Sequence, residues 1–179
     1  LKAVNLKKGV LKWESILNMS INKDKVTEYY LASQTASSFV SASVPISGIT
    51  GKPVYSIFAY RWGGLDPENG NPRGYIGDQL SIDYRALVGS GTKVSDLAYF
   101  GSAIPTHFGS LLNSFSIKDF TLNVAISYKM GYYFRKQSIN YQNLFSNWLG
   151  NEDYAKRWQQ PGDELITDVP SLVYPASIQ

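Results

Sequence analysis

The chain has 179 residues, of which 44% are hydrophobic, only 17% charged and 14% aromatic, with 13 tyrosines and 4 tryptophans. Its net charge of +3 comes from scattered lysines and arginines, which form no basic tract to follow a phosphate backbone, so nucleic acid is excluded as the expected partner. With no cysteine, disulfides and thiolate metal sites do not arise, and no run of about 20 apolar residues marks a transmembrane helix.

The first residues, LKAVNLKKGVLKW, are too interrupted in their apolar run for a signal peptide and read as the middle of a strand. The last residues, SLVYPASIQ, stop as abruptly. Together they predict a piece of a longer polypeptide. Residues 11–23 alternate. Leu11, Trp13, Leu17, Met19 and Ile21 fall on one face with Ser15, while Lys12, Glu14, Asn18 and Ser20 fall on the other with Ile16. A polar turn at residues 22–25 follows, and residues 26–31 begin a predicted returning strand. Residues 32–51 are rich in Ser, Thr and Ala and predict a loop with weak strand character. Residues 52–62 are β-branched or aromatic on both faces, as in a strand covered on both sides.

Residues 63–72, GGLDPENGNP, supply positive and fixed φ in succession and predict turns. Asp66, Glu68 and Asn69 resemble a calcium loop only faintly, because the glutamate that an EF-hand needs further on is missing. More polar turns are expected across 73–106. His107 is the one histidine; with no G-x-S-x-G or H-E-x-x-H nearby, it reads as a polar residue at the start of a strand.

Residues 108–117 alternate again, with Leu111, Asn113, Phe115 and Ile117 against Ser110, Leu112, Ser114 and Ser116. Only Lys118 and Asp119 separate them from the clearest pattern in the chain, FTLNVAISYKMGYYF at 120–134. That spacing predicts a hairpin, although neither residue adopts positive φ easily. Within 120–134 the even positions, Phe120 to Phe134, are all apolar or aromatic; the odd positions include Thr121, Asn123, Ser127 and Lys129. Successive strand side chains point to opposite faces, so the segment has one apolar and one polar side. At about 3.3 Å per residue it would span about 46 Å, long enough to cross a bilayer when tilted.

Two architectures accommodate this alternation. A soluble sandwich covers the apolar face with a second sheet about 10 Å away. A membrane barrel turns it to lipid and lines an aqueous lumen with the polar face, joining its strands by short turns at one end and long loops at the other. Strand length and the tight turn at Lys118 favour the barrel. Residues 135–170 then form a long excursion in which 142–149 and 153–159 predict short helices, stopped by Pro161-Gly162-Asp163. Trp148, Tyr154, Arg157 and Trp158 there either face a partner or pack the loop on itself.

The set of Pro105, Phe108-Gly109-Ser110, Asn113-Ser114-Phe115, Lys118-Asp119-Phe120, Gly131-Tyr132-Tyr133-Phe134, Arg157-Trp158 and Pro161-Gly162-Asp163 resembles, in that order, the later barrel region of the SusC/RagA-type TonB-linked outer-membrane importers. Trp13-Glu14, Leu17-Asn18, Gly64-Leu65-Asp66 and Gly70-Asn71-Pro72 fall upstream in matching order. The resemblance covers nearly the whole chain. It implies an all-β fold, antiparallel strands of a large transmembrane β-barrel of about 22 strands with long extracellular loops containing short helices. Residues 1–179 would be a partial barrel region, with the plug and the closing strands outside it.

The implied function is TonB-dependent import of oligosaccharides or peptides across the cell outer membrane. The implied partners are a SusD-like surface lipoprotein, the TonB complex and outer-membrane lipid. The alternative is a soluble β-sandwich that binds glycans. Neither reading is an enzyme. Asp66, Asp78, Asp83, Asp163 and Glu164 have no spacing that pairs two of them for glycoside hydrolysis, and no catalytic, cofactor-binding or metal-ligating residue is assigned. In the barrel reading Val124→Arg is expected to impair assembly and Ser127→Arg is not.

Overall fold

Alternation of apolar and polar residues dominates this chain, and in the computed structural model it yields strands grouped in antiparallel sheets with a few short helices. The structure describes residues 1–30, 35–40, 46–89 and 91–173. The strands are β1 (Lys2–Lys8), β2 (Leu11–Ile21), β3 (Ser56–Ala59), β4 (Trp62–Leu65), β5 (Pro72–Ile76), β6 (Gln79–Ser81), β7 (Ala98–Ser102), β8 (His107–Ile117) and β9 (Phe120–Met130). The helices are α1 (Ala36–Phe39), α2 (Tyr84–Val88) and α3 (Tyr141–Asn147), with 3-10 turns at Val94–Asp96, Glu152–Lys156 and Asp163–Leu165.

The chain divides into two units. The first comprises Leu1–Tyr30, Ile46–Ser56 and Gly101–Tyr133. Its centre is a four-stranded sheet in the order β1-β2-β8-β9, each strand antiparallel to its neighbours. Spatial order follows chain order, so the sheet runs up and down. It is open, with β1 and β9 as its edges, and the described residues close no barrel. Gly9 and Val10 join β1 to β2, and Lys118 and Asp119 join β8 to β9. Both turns lie at one end, bridged by the Lys118 N–H donating to the Val10 carbonyl at 3.3 Å. At the opposite end Asn22 N–H reaches the Thr106 carbonyl (2.9 Å), closing the base of the long segment between β2 and β8.

Two expectations change in this unit. The strand predicted over 120–134 ends at Met130, because Gly131 takes φ 70 and turns the backbone out of the extended region. An ideal Cβ on Gly131 would lie 2.0 Å from Thr106 Oγ1, so the turn also needs the missing side chain. Residues 26–30 are not a returning strand. The Val26 N–H instead bonds to the Lys52 carbonyl (2.9 Å) and its own carbonyl accepts from Gly51, so Val26 is buried by loop contacts rather than by a ladder. Of the loop predicted at 32–51, residues 32–34 and 41–45 lie outside the described residues, and Ile46 makes an isolated antiparallel bridge to Tyr55.

The second unit holds the described residues of 31–45, 57–100 and 134–179. It has the compact core that the sheet lacks. Phe58 lies edge-on to Phe39 at 5.4 Å and tilted against Tyr99 at 5.3 Å, with Ala36, Ile57, Leu65, Leu87 and Leu97 also buried. Arg135 donates to the carbonyls of Phe39 (3.1 Å) and Phe58 (2.8 Å), tying α1 to β3. Helix α1 was not anticipated; Ala36 and Phe39 are the two buried positions on its single turn. The strand predicted over 52–62 is realised over Ser56–Ala59, with Ser56, Ile57 and Phe58 all buried as expected. Within 63–72, Gly63 and Gly64 belong to β4, and the turn begins at Asp66.

Candidate functional site

The functional surface follows from register. Residues directly opposite in an antiparallel ladder share a face, so the pairings across β2, β8 and β9 sort every side chain. On one face the rows are Leu11–Ile117–Phe120, Trp13–Phe115–Leu122, Ser15–Asn113–Val124, Leu17–Leu111–Ile126, Met19–Gly109–Tyr128 and Ile21–His107–Met130. On the other they include Lys12–Ser116–Thr121, Glu14–Ser114–Asn123, Asn18–Ser110–Ser127 and Ser20–Phe108–Lys129. The apolar sets read separately from each segment thus fuse into one continuous surface. Its side chains are most open along the edge strand β9, where Phe120 is 83% exposed, Leu122 62%, Ile126 54% and Met130 56%, while Leu17, Leu111 and Phe115 are half-buried. Among the described residues of the first unit, none forms a second layer over them.

The three strands are about twice the usual strand length of about 5–6 residues. Each of the three strands has 11 residues; ten steps of about 3.3 Å give about 33 Å. A tilt of about 40° reduces this to about 25 Å, the height of the apolar band on outer-membrane barrels. Near the tight-turn end Trp13 stacks on Phe115 (5.6 Å between centroids, 20° between planes), and Tyr128 lies toward the other end. Aromatics therefore flank the aliphatic middle, as girdles do.

The polar residues on the apolar face satisfy one another. Asn113 Oδ1 accepts from Trp13 Nε1 (3.0 Å) and Ser15 Oγ (2.6 Å), and Ser15 Oγ accepts from Asn5 Nδ2 (2.5 Å). Asn5 is the extra residue of a bulge between Val4 and Leu6, which aims it across the edge of the ladder. The opposite face is a hydrogen-bonding surface of small groups. Ser114 Oγ donates to Asn123 Oδ1 (2.7 Å), Asn18 Nδ2 donates to Ser110 Oγ (3.2 Å), and Ser116 and Thr121 share a bond of 3.2 Å. Lys12 Nζ lies 2.8 Å from Glu14 Oε2.

The isolated candidates of the sequence take local roles. His107 opens β8, exposed, with Nδ1 2.9 Å from Thr106 Oγ1. Asp66 Oδ1 accepts from Glu68 N–H (2.9 Å), and Asn69 Oδ1 from Asn71 N–H (2.9 Å), which is turn chemistry. Asp78 pairs with Arg61 at 3.1 Å. Asp83 caps α2 by accepting from Ala86 N–H at 3.0 Å. Asp163 accepts from Gln159 and Gln160 N–H. Among the described residues no three His, Asp or Glu side chains gather as metal ligands.

In the excursion, α3 covers Tyr141–Asn147 and the second helical piece is a 3-10 turn at Glu152–Lys156, shorter than expected. Its aromatics divide. Trp158 packs the loop on itself, 8% exposed, donating Nε1–H to Glu164 Oε2 (3.2 Å) and backbone N–H to Val169 O (2.9 Å). It lies on Gly70, where an ideal Cβ would come within 2.4 Å of the indole. Arg157 stacks over Tyr154 at 4.2 Å. Trp148, at φ 54 after α3, is 90% exposed.

The buried carboxylate of Asp153 was not singled out in the sequence, since nothing near it in the chain marks burial. It accepts from Ser138 Oγ (2.8 Å) and lies 3.2 Å from Lys156 Nζ and 3.3 Å from Lys136 Nζ. The Ser138 hydrogen bond first, then Lys156 and Lys136, hold its pKa below the usual carboxylate value against the opposing effect of burial. Glu164 is also held low, first by its own backbone N–H and then by Trp158 Nε1 and Gly162 N–H.

No family model matches the chain, and no curated protein matches it. Among solved structures it is similar to a chain in the structure of the RagAB peptide transporter, at a TM-score of 0.58 and 17% identity. The match covers 96% of this chain and 19% of that one, so this chain has the fold of about a fifth of that transporter chain.

Proposed function

We propose that this chain is part of the wall of a SusC/RagA-type, TonB-dependent outer-membrane importer. The observation that carries the reading is the continuous apolar face across three paired 11-residue strands, exposed on this chain and backed by a polar face. In this reading Leu17, Leu111 and Ile126 meet acyl chains, while Asn123, Ser127 and Lys129 border a water-filled lumen. Charge placement supports that direction. A lysine facing lipid at mid-membrane costs about 2–4 kcal/mol, whereas one in a lumen stays solvated. Up-and-down strand order, tight turns at one end and long insertions at the other are the connectivity such a wall needs. The likeness in fold to part of a peptide transporter adds to this.

The cargo of the proposed importer is a peptide or an oligosaccharide, delivered by a SusD-like surface lipoprotein and driven through the TonB complex. The barrel wall is passive in that cycle. Its lumen surface of serine, threonine and asparagine, with Lys12, Glu14 and Lys129 among them, lets a hydrated polymer exchange hydrogen bonds along its path.

Fractionation and uptake test the proposal together. The native polypeptide carrying these strands is expected in the outer-membrane fraction, cross-linkable to a surface lipoprotein, and its deletion is expected to abolish uptake of labelled peptides or oligosaccharides. Recovery as a monodisperse protein without detergent would overturn it.

A further inference from the structure

The tight-turn end of the sheet carries a charge pattern that the apolar face alone does not require. Lys8 stands opposite Leu11, so it belongs to the apolar face, immediately before the Gly9 turn. Lys118 occupies the adjacent turn, joined to the first by its N–H bond to Val10. Both are exposed, and among the described residues neither has an ion-pair partner. On the opposite face Lys7 lies directly across from Lys12, a like-charge pair that costs free energy unless an anion relieves it. Glu14 answers Lys12, and Asp119 is the acidic residue within the two turns. The far end of the apolar face closes instead on Ile21, His107 and Met130, with no lysine. The rim at the tight-turn end, the row Lys8–Leu11–Ile117–Phe120, thus carries a lysine in register on the apolar face, whereas at the far end Lys23 and Lys25 lie in the segment beyond Ile21.

We infer that this rim binds the phosphate headgroup of an anionic glycerophospholipid, with Lys8 and Lys118 as its cations. The inference rests on the proposed lipid contact of the apolar face and adds to it the lipid class and the end at which the headgroup is held. The row Leu11–Ile117–Phe120 receives the upper part of the acyl chains, and Lys8 and Lys118, flanking that row in the ladder and the adjacent turn, are long enough to bring their ammonium groups to headgroup level. Charge complementarity selects an anionic over a zwitterionic lipid. A lysine at an anionic surface contributes a factor of about five in affinity, so the pair contributes about 30-fold.

The test is native mass spectrometry of the native polypeptide in a neutral detergent, offered phosphatidylglycerol, phosphatidylcholine or inorganic phosphate. Preferential retention of phosphatidylglycerol is expected, falling about fivefold in Lys8→Gln or Lys118→Gln and about 30-fold in the double variant. Lys8→Arg with Lys118→Arg should keep it, which separates charge from misfolding, and Lys23→Gln should leave it unchanged. Equal retention of both lipids, equal loss in Lys23→Gln, or displacement of the lipid by inorganic phosphate at comparable concentration would overturn the inference while leaving the lipid-facing wall intact. Retention of no phospholipid by the unaltered protein would overturn both.

Discussion

Ile126 stands in the fourth of the six apolar rows, between Leu111 and the unpaired edge of β9, and is 54% exposed. Ser127 is the next residue and lies on the opposite face, across from Ser110. Arginine at these two neighbouring positions therefore places the same charged side chain on opposite sides of one strand. Ile126 lies roughly halfway along an 11-residue strand, where an arginine facing lipid costs about 2–4 kcal/mol. Ile126 is a sharper site than Val124, whose row contains the Ser15–Asn113 pair and offers an incoming guanidinium an acceptor. At Ser127 the guanidinium enters water, and the expected cost is within about 0.5 kcal/mol. Assembly is read as the outer-membrane fraction that resists unfolding in urea. Ile126→Arg should lower the midpoint or abolish insertion; Ser127→Arg should not. Equal behaviour of the two variants, or the reverse order, would refute the face assignment.

Three further outcomes follow from local geometry. Lys118 holds φ 51 in the β8–β9 turn, a conformation costing a side-chain-bearing residue about 1–2 kcal/mol, so Lys118→Gly should raise hairpin stability by about 1 kcal/mol in urea titration. Trp158→Ala empties the buried space against Gly70 and removes one of the donors to Glu164 Oε2; a loss of about 3–5 kcal/mol in the second unit is expected by hydrogen exchange. Asp153 is depressed in the folded state, so its stabilisation is present above the usual carboxylate pKa of about 4 and disappears as pH falls through its lower folded value. Asp153→Asn should remove that acid-dependent step from the fluorescence of Trp158, which the native loop retains.

What the sequence makes legible is whatever a period of two can carry. The alternation at 11–23, 108–117 and 120–130 needs no distant information, because each segment displays its own two faces; their strands and faces are found as read. Pairing of β2 with β8 is different. The segments are separated by residues 22–106, and no local signal says that Leu17 will lie opposite Leu111. The end of β9 at Met130 was also missed, because Tyr132 and Phe134 continue the apolar rhythm while Gly131 alone breaks the backbone. Asp153 was invisible for the same reason as the β2–β8 pair: its partner Ser138 approaches through a loop. Among the excursion's aromatics, only three-dimensional packing distinguishes buried Trp158 from exposed Trp148.

In the proposed wall, alternate residues of β9 meet lipid and water. Nitroxide labels placed singly from Phe120 to Met130 in the native polypeptide, reconstituted in bilayers, test it most directly by comparing collision with oxygen and with a water-soluble nickel chelate. A period of two is expected, with oxygen favoured at 122, 124, 126 and 128 and the chelate favoured at 121, 123, 125, 127 and 129. Chelate access at Leu122 and Ile126 equal to that at Asn123 and Ser127, or exclusion of both reagents from the apolar positions, would contradict it.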